Sequence, residues 1–131
     1  HELAHQRGVA AEQEANFVGV MAATAGGNVA YQYSGWLFGY LHLSNALYSA
    51  DPDLARASYA ALCAEAQADM ADNNAYWKQW EGPVKETGEK VYTAFLQGYG
   101  QELGMRSYGA CVDLLVEEFL PYTTTGGLTA E

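Results

Sequence analysis

Basic residues are scarce in this chain. Its 131 residues include 6 Lys and Arg against 16 Asp and Glu, a formal net charge of -10. Phosphate binding needs clustered Lys and Arg, so the balance argues against nucleic acid as a partner. It argues equally against docking on anionic lipid headgroups. Cysteine is scarce too: only Cys63 and Cys111, and neither sits in a C-x-x-C pair. Each lies in an apolar helical context, so two buried free thiols are expected rather than a disulfide. No apolar run reaches the about 18 residues that a membrane span needs. The nearest stretch, GWLFGYLHLSNAL from Gly35 to Leu47, is too short and carries His42, Ser44 and Asn45. A secretory signal pattern is missing, and so is an initiating methionine. A chain that opens on His1 is expected to be a piece of a longer one. Alternating β-branched runs do not occur, and the Thr-rich stretch is confined to the tail, TTTGGLTAE.

What is present favours helix. Half of the residues are hydrophobic and 17% are charged, a globular composition. A chain of this length makes one domain with a real core and needs no covalent staple. Ala, Leu, Glu and Gln dominate, all good helix formers. The expected fold is therefore all-α, a single multi-helix domain over residues 1–122 with a loose tail over 123–131. HELAHQ reads as a helix end stopped by Gly8. A second helix runs from about Ala10 to Ala25, with Ala15, Val18, Met21 and Ala22 on its core face, until Gly26-Gly27-Asn28 breaks it. A third, from about Ala30 to Ser49, is apolar nearly all round and so expected at the centre. Asp51-Pro52 opens a fourth that reaches about Cys63. A fifth covers Ala64 to Trp80 and stops at Gly82-Pro83, a sixth covers Val84 to Gln97, and Gly98 to Gly104 is a loop. The last runs from about Ser107 to Leu120 and ends at Pro121.

The chemistry sits at the start. His1-Glu2-Leu3-Ala4-His5 has the pattern HExxH. Residues four apart share a helix face, so both imidazoles can reach one metal ion. Zinc accepts imidazole nitrogen, and a catalytic site needs three protein ligands and one open position. Glu2 falls beside that position, where a carboxylate can take a proton from water. Gly8 lets the chain turn after the second histidine, and the next helix begins with glutamates. Glu12 or Glu14 can supply the third ligand. Glu12 is favoured because Asn16, four residues on, shares its face and can hydrogen-bond a histidine ring. Glu14 pairs with Val18, which offers no such bond, and is left as the alternative or as a nearby acid.

HExxH followed by a helix bearing Glu, with Asn four residues later, resembles the gluzincin peptidases. The E-x-x-A-N form is similar to that of prenyl-protein-type membrane proteases and of small cytosolic zinc peptidases that cleave repressors. HELAHQRG with EANF, then YSGW at Tyr33 to Trp36, NALY at Asn45 to Tyr48, and R-SYG-x-x-VDLL over Arg106 to Leu115 resembles more closely a bacterial domain family of unknown function. That family is thought to consist of membrane-anchored zinc metallopeptidases, and the resemblance covers most of the chain. It implies Zn2+ held by His1, His5 and Glu12, with Glu2 as general base and a peptide or protein as substrate. It also implies membrane-spanning segments before His1, so membrane contact is expected only through them. The gap between His5 and Glu12 is shorter than in most gluzincins. Gluzincins also carry a substrate-binding strand before the HExxH helix, so the site in this piece is expected to be complete in ligands but truncated around them.

A peptidase also needs a donor for the oxyanion of its tetrahedral intermediate. Arg106 or Tyr108 can serve, although a tyrosine in so aromatic a chain also reads as packing. His42, alone in an apolar helix, reads as a core histidine. Tyr31, Tyr33, Trp36 and Tyr40 form an aromatic stripe, read as core or helix–helix contact or, in an excised piece, as an exposed apolar face that met missing residues. Glu117-Glu118, Glu86, Glu89 and Lys90 read as solvated helix surface. The competing reading is a non-catalytic helical interaction module whose metal, if any, is structural or vestigial. A copper centre on a free N-terminal histidine suits β-sandwiches and does not suit a helical chain.

Overall fold

The computed structural model describes residues 1–80 and 111–124, with side chains to residue 121. The described residues form six helices and no strand: α1 (Glu2–Gln6), α2 (Glu12–Ala25), α3 (Val29–Ala50), α4 (Pro52–Ala60), α5 (Ala64–Lys78) and α6 (Cys111–Thr124). The all-α architecture read from composition is what forms. The helix expected over 84–97, the loop over 98–104 and the surface residues Glu86, Glu89 and Lys90 lie outside the described residues. The chain divides into two compact units, His1–Leu43 with Tyr108–Glu131, and Ser44–Ser107.

In the first unit, α2 carries the packing. Val20, Cys111 and Leu115 are buried together, with Phe17, Leu43 and Phe119 packed against them. Burial pushes the Cys111 thiol up to about 11, so it stays protonated and acts as a small apolar group. The core face of α2 differs from the expected one. Glu12, Ala15, Asn16 and Val20 are buried, whereas Val18 is 38% exposed. Two of the four buried positions are polar, and a search for apolar periodicity passes over them.

The third helix also departs from expectation. Its buried residues are Gly35 and Gly39, while Tyr31, Tyr33 and Trp36 are exposed and Trp36 rests against Phe119 with ring centroids 5.3 Å apart. The glycines explain this. A Cβ on Gly35 would lie 2.8 Å from Ala23 Cβ, and one on Gly39 would lie 3.4 Å from Val20 Cγ1. Four residues apart, they share one face and let α3 approach α2 backbone to side chain, which turns the aromatic residues outward. Asn28 starts α3, its Oδ1 accepting from the backbone N–H groups of Ala30 at 2.9 Å and Tyr31 at 3.2 Å.

In the second unit, Asp51 caps α4 by accepting from the N–H groups of Asp53 and Leu54, with Pro52 in the first turn. That helix ends at Ala60, short of Cys63. The connection to α5 is tied by Tyr59 Oη donating to the Gln67 carbonyl at 3.0 Å and Gln67 Nε2 donating to the Leu62 carbonyl at 2.8 Å. Cys63 is exposed, not buried, because it stands at the N-cap of α5 and off its buried face of Ala66 and Met70. Both cysteines are free thiols. The last helix, α6, does not stop at Pro121 but includes it. The proline φ is compatible with a helix, but it gives no N–H to the carbonyl four residues back, so the turn is kept at the cost of that bond. Among the described residues, no helix is long and apolar enough to cross a membrane.

Two outcomes follow. Gly35→Ala is expected to lower stability by about 1–2 kcal/mol, since overpacking of roughly 1–3 kcal/mol exceeds the gain in helix propensity; urea denaturation measures it. His42 has a buried Nε2 without a partner among the described residues, its ring set edge-on to Phe38 at 4.6 Å. Burial lowers its pKa below the ordinary 6.5. The folded state therefore takes up its proton later than the unfolded state, so His42 contributes stability above pH 6.5 that is lost as pH falls through its lowered folded value. His42→Leu should show a smaller loss of stability than the wild type between pH 7 and pH 5.

Candidate metal centre

The residues of HELAH meet those of α2 at one point. His1 stands at the N-cap of α1 and His5 in its last turn, and the two rings meet edge to face with centroids 4.7 Å apart. Ala4, between them, is buried and seats α1. From α2, the buried carboxylate of Glu12 comes up to both rings. Its Oε2 lies 3.1 Å from His1 Nε2 and 3.6 Å from His5 Nε2, and the two Nε2 atoms are 3.0 Å apart. His1, His5 and Glu12 thus form a group that could hold a metal ion.

The other ring nitrogens decide what these atoms are. His1 Nδ1 is 2.6 Å from Asn16 Oδ1, and His5 Nδ1 is 2.7 Å from the Val9 carbonyl. Both partners are acceptors, so each Nδ1 carries the proton and donates it. Each Nε2 is left with a lone pair directed at the other and at a carboxylate oxygen. A proton added to one ring serves one of these contacts at a time. A divalent cation engages all three lone pairs together. Ligands about 2.0–2.1 Å from a tetrahedral zinc lie about 3.3 Å from each other. The observed edges of 3.0, 3.1 and 3.6 Å fall on either side of that value. The residues present fit the ion.

The turn after α1 produces the second of these bonds. Gly8 N–H bonds the His5 carbonyl at 3.0 Å and Val9 N–H bonds the Ala4 carbonyl at 3.1 Å, the paired bonds of a Schellman stop. Gly8 is left-handed with φ +94°, which brings the Val9 carbonyl back over the His5 ring. Sequence reasoning missed Val9 because a backbone acceptor has no residue type. Gly8 was the only signal for it.

The remaining expected residues separate. Glu2 stands at the solvent edge, its side chain 86% exposed and its Oε1 3.9 Å from His1 Nε2. Asn16 is buried on His1. Glu14 is exposed in the first turn of α2 and is not in the group. Arg106 and Tyr108 lie outside the described residues.

A family model described as a protein of unknown function, DUF3810, matches residues 1–116. The chain belongs to the DUF3810 family. The match takes in both ligand helices and most of the described residues. No curated protein and no solved structure matches the chain.

Gly8→Ala is expected to cost about 1–2 kcal/mol through its left-handed backbone and to release the His5 ring, while Gly8→Asn, which tolerates that conformation, should keep most of both. Denaturation reads the first effect, and the imidazole nitrogen signals of His5 read the second.

Proposed function

We propose that this chain carries the catalytic centre of a zinc-dependent peptidase. The observation that supports this most is the convergence of three lone pairs on one point, with both histidine tautomers held by bonds on the opposite side of each ring. His1, His5 and Glu12 would hold the ion. Among the described residues no fourth ligand joins them, which favours a site with an open position over a closed structural one. Bound zinc supplies Lewis acidity, polarising a scissile carbonyl and acidifying a water beside it.

This chain's own residues do the rest. The exposed Glu2 carboxylate, beside His1 Nε2, takes the proton of the attacking water and returns it to the leaving amine. Asn16 and the Val9 carbonyl keep both rings in the ligating tautomer. Arg106 or Tyr108 is proposed for the oxyanion. The substrate class is a peptide or protein. The likeness to membrane-anchored metallopeptidases extends the proposal to a full-length protein anchored at a membrane before His1.

Elemental mass spectrometry should give about one zinc per chain in the wild type and none in His5→Ala. Glu2→Gln should keep the zinc but lower peptide hydrolysis by the full-length protein about 10²–10⁴-fold, the usual share of a general base. A folded wild type without zinc would sink the metal centre. Hydrolysis at the wild-type rate in Glu2→Gln would leave the centre standing and remove Glu2 from its role.

A further inference from the structure

α2 holds Glu12, Asn16 and Gly19 along one side, spaced four and three residues apart so that they stack on one face. The first two touch the His1 ring on its two nitrogens. The third meets the His1 backbone: a Cβ on Gly19 would lie 3.1 Å from His1 N and 3.7 Å from His1 Cα. Glycine in the middle of a helix is less favourable than alanine. At this position its cost is matched by the clearance it gives to the first metal-binding residue.

We infer that Gly19 is a positioning residue for His1, setting how deeply that histidine seats on α2 and thereby the distances from its Nε2 to His5 and Glu12. The inference rests on the proposed metal centre for its catalytic meaning, but not for its geometry. With a methyl group at position 19, the His1 backbone must move off α2 by a few tenths of an ångström. The ring is carried with it, which lengthens the 2.6 Å bond to Asn16 or the 3.1 Å approach to Glu12. The bond from His5 Nδ1 to the Val9 carbonyl is made within the turn after α1 and has no such dependence.

The test compares Gly19→Ala with the wild type, with Val18→Ala on the exposed neighbouring position as the control. Far-UV circular dichroism and metal-free melting come first. The gain in helix propensity and the disturbed His1 contact oppose each other, so Gly19→Ala should melt close to the wild type. In the metal-free protein, the imidazole nitrogen signals of His1 should shift and its Nδ1 proton should exchange faster, while the His5 Nδ1 proton, bonded to the Val9 carbonyl, should exchange as in the wild type. With Co2+ as probe, Gly19→Ala should bind about 10-fold or more weakly with an altered visible spectrum, and Val18→Ala should match the wild type. Unchanged His1 signals in Gly19→Ala would overturn the inference. So would equally faster exchange of the His1 and His5 Nδ1 protons. A Gly19→Ala chain that does not fold would also overturn it, since Gly19 would then hold the domain rather than position His1. A wild type that binds no Co2+ or zinc removes the metal centre, and the nitrogen signals of the metal-free protein still decide the role of Gly19.

Discussion

Two imidazole nitrogens and a carboxylate oxygen stand within 3.6 Å of each other with their lone pairs facing inward. Such atoms repel one another without a cation or shared proton between them, so the surrounding fold must hold them together. The fold does this from behind. Each ring is fixed by a donor bond from its far nitrogen, the carboxylate is buried on α2, and α1 is seated through Ala4. The partly polar inner face of α2 is the price of that arrangement. Positions that would otherwise carry Leu or Val carry Glu12 and Asn16, and apolar packing is left to Val20 against α6.

The parts legible in the sequence are the local ones. HELAH states its own geometry, because a four-residue spacing on a helix is one face. Asn28 and Asp51 cap helices where their side chains allow it. The pair Glu12 and Asn16 stood out for the same reason as HELAH, while Glu14, half a turn away on α2, ends up in solvent. What stayed hidden depends on a second element. The buried face of α2 is set by where α1 lands, and two of its members look like surface residues. The outward aromatics of α3 follow from Gly35 and Gly39, which composition reads as weak helix formers and the fold uses for close approach. Pro121 read as a stop because its lost N–H is visible in sequence, whereas the helix runs on through it.

Membership of a family of unknown function fixes the company that this chain keeps and leaves its chemistry to be argued from the site. The two kinds of observation bear on different questions. The helices and their packing say how α1 and α2 are brought together. The donor set, the tautomers and the exposed Glu2 say what that junction could do.

The two rings are oriented over very different distances along the chain. His5 takes its acceptor from Val9, four residues on, whereas His1 takes its acceptor from Asn16, fifteen residues on. Closing a short loop costs less entropy than closing a longer one. The orientation of His5 is thus local to the turn at Gly8, whereas that of His1 exists only where α2 is docked on α1. One ring of the centre reports the local turn, and the other reports the docking of α2.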